Sequence, residues 1–242
     1  MATTSIEWTD KTWNPVTGCT KISKGCEHCY AAVMARRLKG MGKPKYANGF
    51  NVTMHEGALI EPTLWKSPCV IFVCSMSDLF HQDVPFEFID KVMAVIRETP
   101  HHNYQILTKR AERMEEYFYN RKVPKNAWLG VTVENQKAKY RIKYLTRIKA
   151  QIHFLSCEPL LENLEELELE NIQWIIVGGE SGSLARPMEE KWVLNIKNQA
   201  YNKKIPFFFK QWGTWGPDGI KRNKKVNGKL LQGKVIQEYP QI

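Results

Sequence analysis

The sequence predicts a single α/β domain built on a mostly parallel sheet, and three features carry that prediction. Short apolar runs recur along the chain and are continuous rather than alternating, as strands covered on both faces are. Helix-length segments lie between them, and strands alternating with helices of about 10–15 residues make a parallel sheet. Each run ends in small, polar or charged residues, and ligands of parallel α/β folds bind at the carboxyl ends of the strands.

A helix is expected to begin near Cys29 and to carry Arg36 and Leu38. Strands then follow at Val70–Cys74, Tyr104–Leu107, Trp128–Val133, Ile152–Ser156, Trp174–Val177 and Pro206–Phe209. Helices are expected at Pro85–Glu98, Arg110–Asn120, Asn135–Ile148 and Glu189–Asn202. No internal repeat and no Gly-, Ser- or Pro-rich linker divides the chain. Residues 1–212 read as the domain. Residues 213–242, with Gly213, Gly216, Pro217, Gly219, Gly228 and Gly233, read as an irregular, basic hairpin extension.

The chain has 242 residues, 43% hydrophobic and 11% aromatic, enough for a sizeable core. No apolar stretch approaches the ~20 residues of a membrane span. Residues 1–12 are polar, without the hydrophobic region of a signal peptide. A cytoplasmic protein is expected. The net charge of +10 suits a polyanionic partner such as nucleic acid or a phosphorylated substrate, or else a merely soluble basic protein. The charge is uneven: residues 158–170 hold six glutamates and no cation, whereas 203–234 hold nine Lys or Arg and one acid, Asp218. The acidic stretch reads as a solvated loop or short helix face. The basic stretch reads as a contact for a polyanion or as an exposed tail.

The strand ends supply the clusters Ser75-Met76-Ser77-Asp78, Thr108-Lys109-Arg110, Glu134-Asn135, Cys157-Glu158-Pro159 and Gly178-Gly179-Glu180-Ser181-Gly182. A parallel sheet would bring all five to one rim. Each also has a local reading. Asp78 could cap a turn, Lys109 and Arg110 could start an exposed helix, Glu134 could complement a helix dipole, and Gly178-Gly179 could form a tight turn.

Of six cysteines, Cys19, Cys26 and Cys29 fall within eleven residues in a C-x6-C-x2-C pattern. In a reducing compartment such spacing points to metal or catalysis rather than disulfides. Three thiolates on one loop can hold three irons of a [4Fe–4S] cluster and leave the fourth open for chemistry. The competitor is a Cys3His zinc site that recruits His28 or His55. Against it, there is one CxxC and no second pair, and His28 sits between Cys26 and Cys29. Cys69 and Cys74 read as packing residues. Cys157 is either a hydrogen-atom donor at the rim or a buried small residue.

These cysteines resemble the radical S-adenosylmethionine (SAM) superfamily, whose usual signature is C-x3-C-x-Φ-C with Φ aromatic. Here His28 takes the Φ position, and six residues replace three in the first spacing. The whole chain resembles a phage- and prophage-associated family of radical-SAM-like proteins. The matching stretches are TWNPVTGC, CEHCYA, SMSDLFH, LTKR, GVTVEN, SCEPLL, GGESG, ARP and FFKQWG, from Trp13 to Gly213. More distantly, it is similar to spore photoproduct lyase-like enzymes.

The resemblance implies a partial (β/α)6 barrel with the cysteine loop after a first strand near Thr12–Val16. It implies a [4Fe–4S] cluster whose open iron is chelated by SAM. An external donor of flavodoxin or ferredoxin type would supply one electron to cleave SAM to methionine and a 5′-deoxyadenosyl radical. It also suggests a SAM site of His28, Ser75, Ser77, Asp78, Lys109 or Arg110, Thr132, Glu134, Gly178 and Gly179. Asn14, Cys157, Glu158 and Glu180 are further candidates for catalysis or substrate contact, and Trp13 for lining the site. Trp212 and Trp215, beside Lys210 and Gln211, either stack on bases or plug the barrel. The expected substrate is a nucleic-acid base or nucleotide. The alternatives are a small-molecule or protein substrate, and a non-enzymatic zinc-stabilised nucleic-acid-binding protein.

Overall fold

The computed structural model describes Thr4 and residues 6–241. The chain enters through β1 (Lys11–Trp13) and then β2 (Val16–Thr17). Asn14-Pro15 separates the two, because proline offers no N–H to continue the ladder. The cysteine loop follows, then α1 (Tyr30–Gly40) and β3 (Thr53–Met54), which returns antiparallel to β2. From there strands and helices alternate: β4 (Val70–Val73), α2 (Phe86–Glu98), β5 (Asn103–Thr108), α3 (Ala111–Phe118), β6 (Ala127–Thr132), α4 (Tyr140–Thr146) and β7 (His153–Cys157). β8 (Trp174–Gly178), α5 (Glu190–Asn202) and β9 (Phe207–Gln211) complete the series.

Seven strands form one sheet in the order β1-β4-β5-β6-β7-β8-β9, every neighbouring pair parallel. A strictly sequential order joined by right-handed crossovers puts every helix on the same face. The sheet therefore curls into a half-barrel, as expected, with one strand more than a six-unit barrel. Outward residues such as Ile71, Tyr104, Ile106, Leu129, Leu155, Ile175 and Phe207 pack under the helices. α2 answers with Phe88, Ile89, Val92, Met93 and Ile96, a helical stripe buried against them.

The concave face changes character along its length. At the amino end, Trp8, Phe72, Trp128, Phe154, Trp174 and Phe208 form an aromatic plug. Trp174 alone stands edge-on to Trp128 and Phe208 at 6.2 and 5.9 Å. At the carboxyl end, the concave positions next to these are Thr132 and Ser156, which are register partners. The fold thus closes one end of the half-barrel with rings and leaves the other lined by small polar groups.

Three elements differ from expectation for local reasons. The segment expected as one helix over Asn135–Ile148 begins as a turn over Gln136–Ala138, because the Asn135 side chain accepts the Ala138 N–H at 3.0 Å. No helix joins β7 to β8. In that crossover Leu160, Leu164, Leu167 and Leu169 are buried between glutamates, and Glu165 at φ +50° breaks the right-handed backbone a helix would need. The C-terminal segment contains a short α6 (Lys224–Asn227) and a hairpin of β10 (Leu230–Leu231) and β11 (Lys234–Val235). It also covers the β9 edge: Phe209 N–H donates to Ile236 O, and Glu238 N–H donates to Phe207 O. Among the described residues, no helix is long and apolar enough to cross a membrane.

Candidate metal centre

The cysteine loop leaves β2 through Gly18, held at φ +83°, where a Cβ would lie 2.2 Å from the Asn51 carbonyl. Only glycine fits so close to backbone at that angle. The loop rises over the carboxyl end of the sheet, makes a 3-10 turn at Lys24–Cys26 and ends with Cys29 as the N-cap of α1.

Two arginines clamp the loop from opposite sides. Arg110 pairs with Asp78 (3.0 Å), donates to the Cys19 Sγ (3.5 Å), and gives hydrogen bonds to the Thr20 carbonyl and hydroxyl (both 3.1 Å). Thr20 is also held by His81, which is fully buried. The His81 Nδ1 accepts the Asp83 N–H at 3.1 Å, so Nε2 carries the proton and donates to Thr20 Oγ1 at 2.7 Å. Burial, with Arg110 nearby, pushes the His81 pKa down and keeps this donor neutral. On the other side Arg186 pairs with both Glu180 oxygens (2.9 and 2.7 Å), with Glu27 (2.8 Å), and with the Lys24 carbonyl (2.9 Å).

Beneath the loop lies a buried ion pair. Glu134 and Arg141, 0% and 4% exposed at their side chains, meet at 2.7 Å. The Glu134 side chain abuts Gly25, where an added Cβ would stand 3.0 Å from its Cγ. Glu134 Oε1 is buried without a hydrogen-bond partner. Burial raises the Glu134 pKa, but Lys109 and Arg141 outweigh it and the net shift is downward. A cavity of about 260 Å³ opens beside the loop, walled by Lys24, Glu27, Asn135, Leu161, Glu162 and Arg186. A larger hollow of about 350 Å³, walled by residues such as Leu167, Asn195 and Gln199, touches none of the cysteine-loop residues.

Cys19 and Cys26 are shifted in opposite directions. Burial, reinforced by Asp78, pushes the Cys19 pKa up to about 11 despite Arg110. Burial also acts on Cys26, but Lys109 and hydrogen bonds within the loop more than offset it, so its pKa falls. The half-buried Lys109 ammonium thus acts on both Cys26 and Glu134, and makes no hydrogen bond or ion pair among the described residues.

Three thiols on one loop fit the three protein-held corners of an iron–sulfur cluster. Three sulfurs share the loop, and among the described residues no histidine is gathered with them into a single-ion donor set. His28 Nδ1 lies 3.3 Å from Glu180, and His55 Nε2 lies 2.8 Å from Thr17 Oγ1. Among the described residues, no three His, Cys, Asp or Glu side chains converge as they would around a single ion. A four-iron cube takes its thiolates at separate corners and does not ask for that convergence.

The other sequence candidates fall into two groups. Lys109, Thr132, and Glu158 with its partner Lys210 (3.0 Å) are on the concave, carboxyl-end side of the sheet, with one oxygen of Glu134 unpaired beside them. The rest are occupied by the protein itself. Asp78 accepts from Phe80 N, Thr108 Oγ1, Lys109 N and Arg110, so it braces the loop rather than waiting for a ligand amine. Ser77 Oγ donates to the Val16 carbonyl. Asn14 accepts from Ser75 Oγ and Met76 N, tying β1 to the loop after β4.

Glu180 is held by Arg186 and by His28 Nδ1. Gly178 and Gly179 give room to the chain's own atoms: a Cβ would meet Glu158 Oε1 at 2.4 Å or the Trp212 carbonyl at 1.8 Å. Of its two expected readings, Cys157 takes the placement of a buried small residue. It faces the helix-side core, 0% exposed, because alternation along β7 turns Ser156 and not Cys157 to the concave face. Trp13 and Trp212 are likewise in that core. Among the described residues, four of the nine cations in the basic stretch are ion-paired, through Lys203–Glu170, Lys210–Glu158, Arg222–Asp218 and Lys229–Glu7.

Sequence reasoning missed Arg186, His81, Thr20 and Arg141. The short stretches ARP and SMSDLFH contain two of them, but no spacing rule links either to a loop 60 to 160 residues away. Asp78→Asn is expected to lower stability by about 1.5–3 kcal/mol, the worth of hydrogen bonds to a charged group, measured by chemical denaturation. The variant should also lose the Arg110 clamp on Cys19.

A family model described as "Protein of unknown function (DUF5131)" matches residues 3–240. Among curated proteins, none matches the sequence. Solved structures of spore photoproduct lyase resemble the fold. A mutant of that enzyme with one cysteine replaced by serine matches at 11% identity and TM-score 0.49, over 90% of this chain and 68% of that one. A complex with dinucleoside spore photoproduct matches at 9% identity and TM-score 0.45, over 76% of this chain and 59% of that one. A doubly substituted mutant with bound AdoMet and dinucleoside spore photoproduct gives 10% and 0.45, over 78% and 60%. The chain thus spans about three fifths of the length of these two complexed enzymes.

Proposed function

This chain belongs to the DUF5131 family, and from its site we propose that it is a radical SAM enzyme acting on a nucleic-acid base or nucleotide. One observation carries the reading. Cys19, Cys26 and Cys29 share a single loop that two arginines hold over the carboxyl end of a parallel half-barrel, with no fourth ligand gathered beside them among the described residues. Cys19, Cys26 and Cys29 would hold a [4Fe–4S] cluster. When bound, the cluster and SAM supply one-electron cleavage of a sulfonium and hydrogen abstraction from the substrate.

The chain's own residues do the rest. Lys109, the cation without a partner beside Cys26, would bind the SAM carboxylate. Thr132, on the concave face, would meet the ribose hydroxyls, and Glu134 beneath the loop would support Gly25 beside Cys26. Glu158 and Lys210, close over Gly178, would bound the substrate side, and the aromatic plug excludes water from the opposite end. The net charge of +10 supports a polyanionic substrate.

The deciding experiment is anaerobic reconstitution with iron and sulfide, followed by dithionite and SAM. The expected products are methionine and 5′-deoxyadenosine. A colourless protein that takes up zinc and forms neither product would overturn the proposal. For the substrate, affinity for DNA or RNA is expected to fall steeply with salt. Absence of binding at low salt would remove the nucleic-acid part. Lys109→Met should weaken SAM binding about 10–100-fold, the loss of one charge-assisted contact, with iron content unchanged. Equilibrium dialysis with SAM checks it.

A further inference from the structure

α1 is a helix without an adequate partner. Ala31 and Ala35 are its buried residues, set against Met76, Tyr46 and Phe50. Tyr30, Val33, Met34 and Met41 are exposed by 57, 64, 41 and 58%. With Arg37 they recur at i, i+3, i+4, i+7 and i+11, so they share one stripe along a helix about 16 Å long. The stripe is surrounded by positive charge. From His28 to His55 the chain carries five Lys or Arg and no acid, and Arg36, Arg37, Lys39 and Lys43 make no ion pair among the described residues. An apolar centre with an uncompensated basic rim is the anatomy of an interface for an acidic protein.

The place of this surface decides which protein. Cys29 is the N-cap of α1, so the exposed stripe begins one residue from a thiol of the proposed cluster, and Tyr30 at its head donates to the Ser75 carbonyl just after β4. We propose that the exposed face of α1 is the docking surface for an acidic one-electron donor protein. This rests on the cluster reading above. In the step it serves, one electron leaves the donor's reduced centre, which is oxidised, and enters the cluster, which is reduced; no atom or proton moves. Nucleic acid fits the stripe less well. Single-strand platforms stack bases on successive aromatics, and here Tyr30 is followed by Val33, Met34 and Met41. Methionine, arginine and tyrosine are instead what protein interfaces enrich. Redox partners meet through small, short-lived contacts, which one exposed helix face can supply.

The test uses the full chain, an acidic [2Fe–2S] ferredoxin as the donor, and a triple variant, Arg36→Glu, Arg37→Glu and Lys39→Glu. A second variant, Val33→Ser with Met34→Ser, probes the apolar stripe. All five side chains are exposed, so both variants should fold, and circular dichroism checks that. Biolayer interferometry should show ferredoxin binding to the wild type that weakens with salt. The charge reversal should weaken it by more than about tenfold, and the apolar variant by several-fold. Ferredoxin-driven 5′-deoxyadenosine formation should slow in the same order, while dithionite-driven formation stays at the wild-type rate.

Undetectable ferredoxin binding by the wild type at low salt, or equal binding by wild type and both variants, overturns the inference. So does a charge reversal that abolishes binding of a single-stranded DNA oligonucleotide and spares ferredoxin. Dithionite-driven failure in the wild type would instead overturn the enzyme reading, and the binding arm reports on the surface independently of it.

Discussion

Cys26→Ala will strip the reconstituted protein of its iron and abolish 5′-deoxyadenosine formation. Wild-type protein should carry about four irons per chain with a broad visible absorption from thiolate-to-iron charge transfer. Cys19→Ala and Cys29→Ala should behave alike, because a cube with two protein thiolates lacks its third anchor. Cys69→Ala and Cys157→Ala should keep both iron and activity. Cys157 lies on the far side of the sheet from the loop, and Cys69 pairs with His102 (3.4 Å) just before β4, at the other end of the strands. The contrast separates metal ligation from generic destabilisation, which would affect both sets. Iron and acid-labile sulfide per chain, with the visible spectrum, are the readouts. Full iron in Cys26→Ala would sink the cluster assignment.

Loading should also release protons. Cys19 is held as a thiol by burial and Asp78, with its pKa raised to about 11, and a metal ligand must be a thiolate. Loading is therefore expected to improve as pH rises through the neutral range.

The sheet and helices were legible because each rests on local physics. Continuous apolar runs at 70–74, 128–133 and 174–177 leave few options besides buried strands, and α2 repeats its large residues at helical spacing. The cysteine loop was legible because three thiols in eleven residues have few other uses. Side-chain roles at the rim were not. Asp78, Glu180 and Glu134 carry the charge a ligand site needs, but whether a carboxylate faces a ligand or an arginine depends on partners distant in sequence. Arg186 reaches Lys24, 162 positions away, and Arg110 reaches Thr20, 90 positions away. The placing of Cys157 turns on a single step of strand register: β7 ends one residue later than expected, and alternation sends the thiol into the core.

The second large effect is expected at the pair beneath the loop. Arg141→Met removes the cation from a glutamate that has no access to water, and a half-removed buried pair typically costs about 3–5 kcal/mol. For a chain of this size that is a fall of about 6–20 °C in Tm. The double variant Arg141→Met with Glu134→Leu should recover much of the loss, since an apolar pair leaves no stranded charge.

The pH dependence has a definite sign. The folded Glu134 pKa lies below its ordinary value of 4.5, so its contribution is present above that value and fades as pH falls through the folded pKa. Wild type should therefore lose stability more steeply below pH 4.5 than the double variant, in urea titrations at stepped pH. Iron loading gives an independent reading. Glu134 supports Gly25, next to Cys26, so Arg141→Met should take up less iron at temperatures where its fold is intact. Unchanged iron together with lowered stability would make the pair a plain core ion pair and detach it from the metal site.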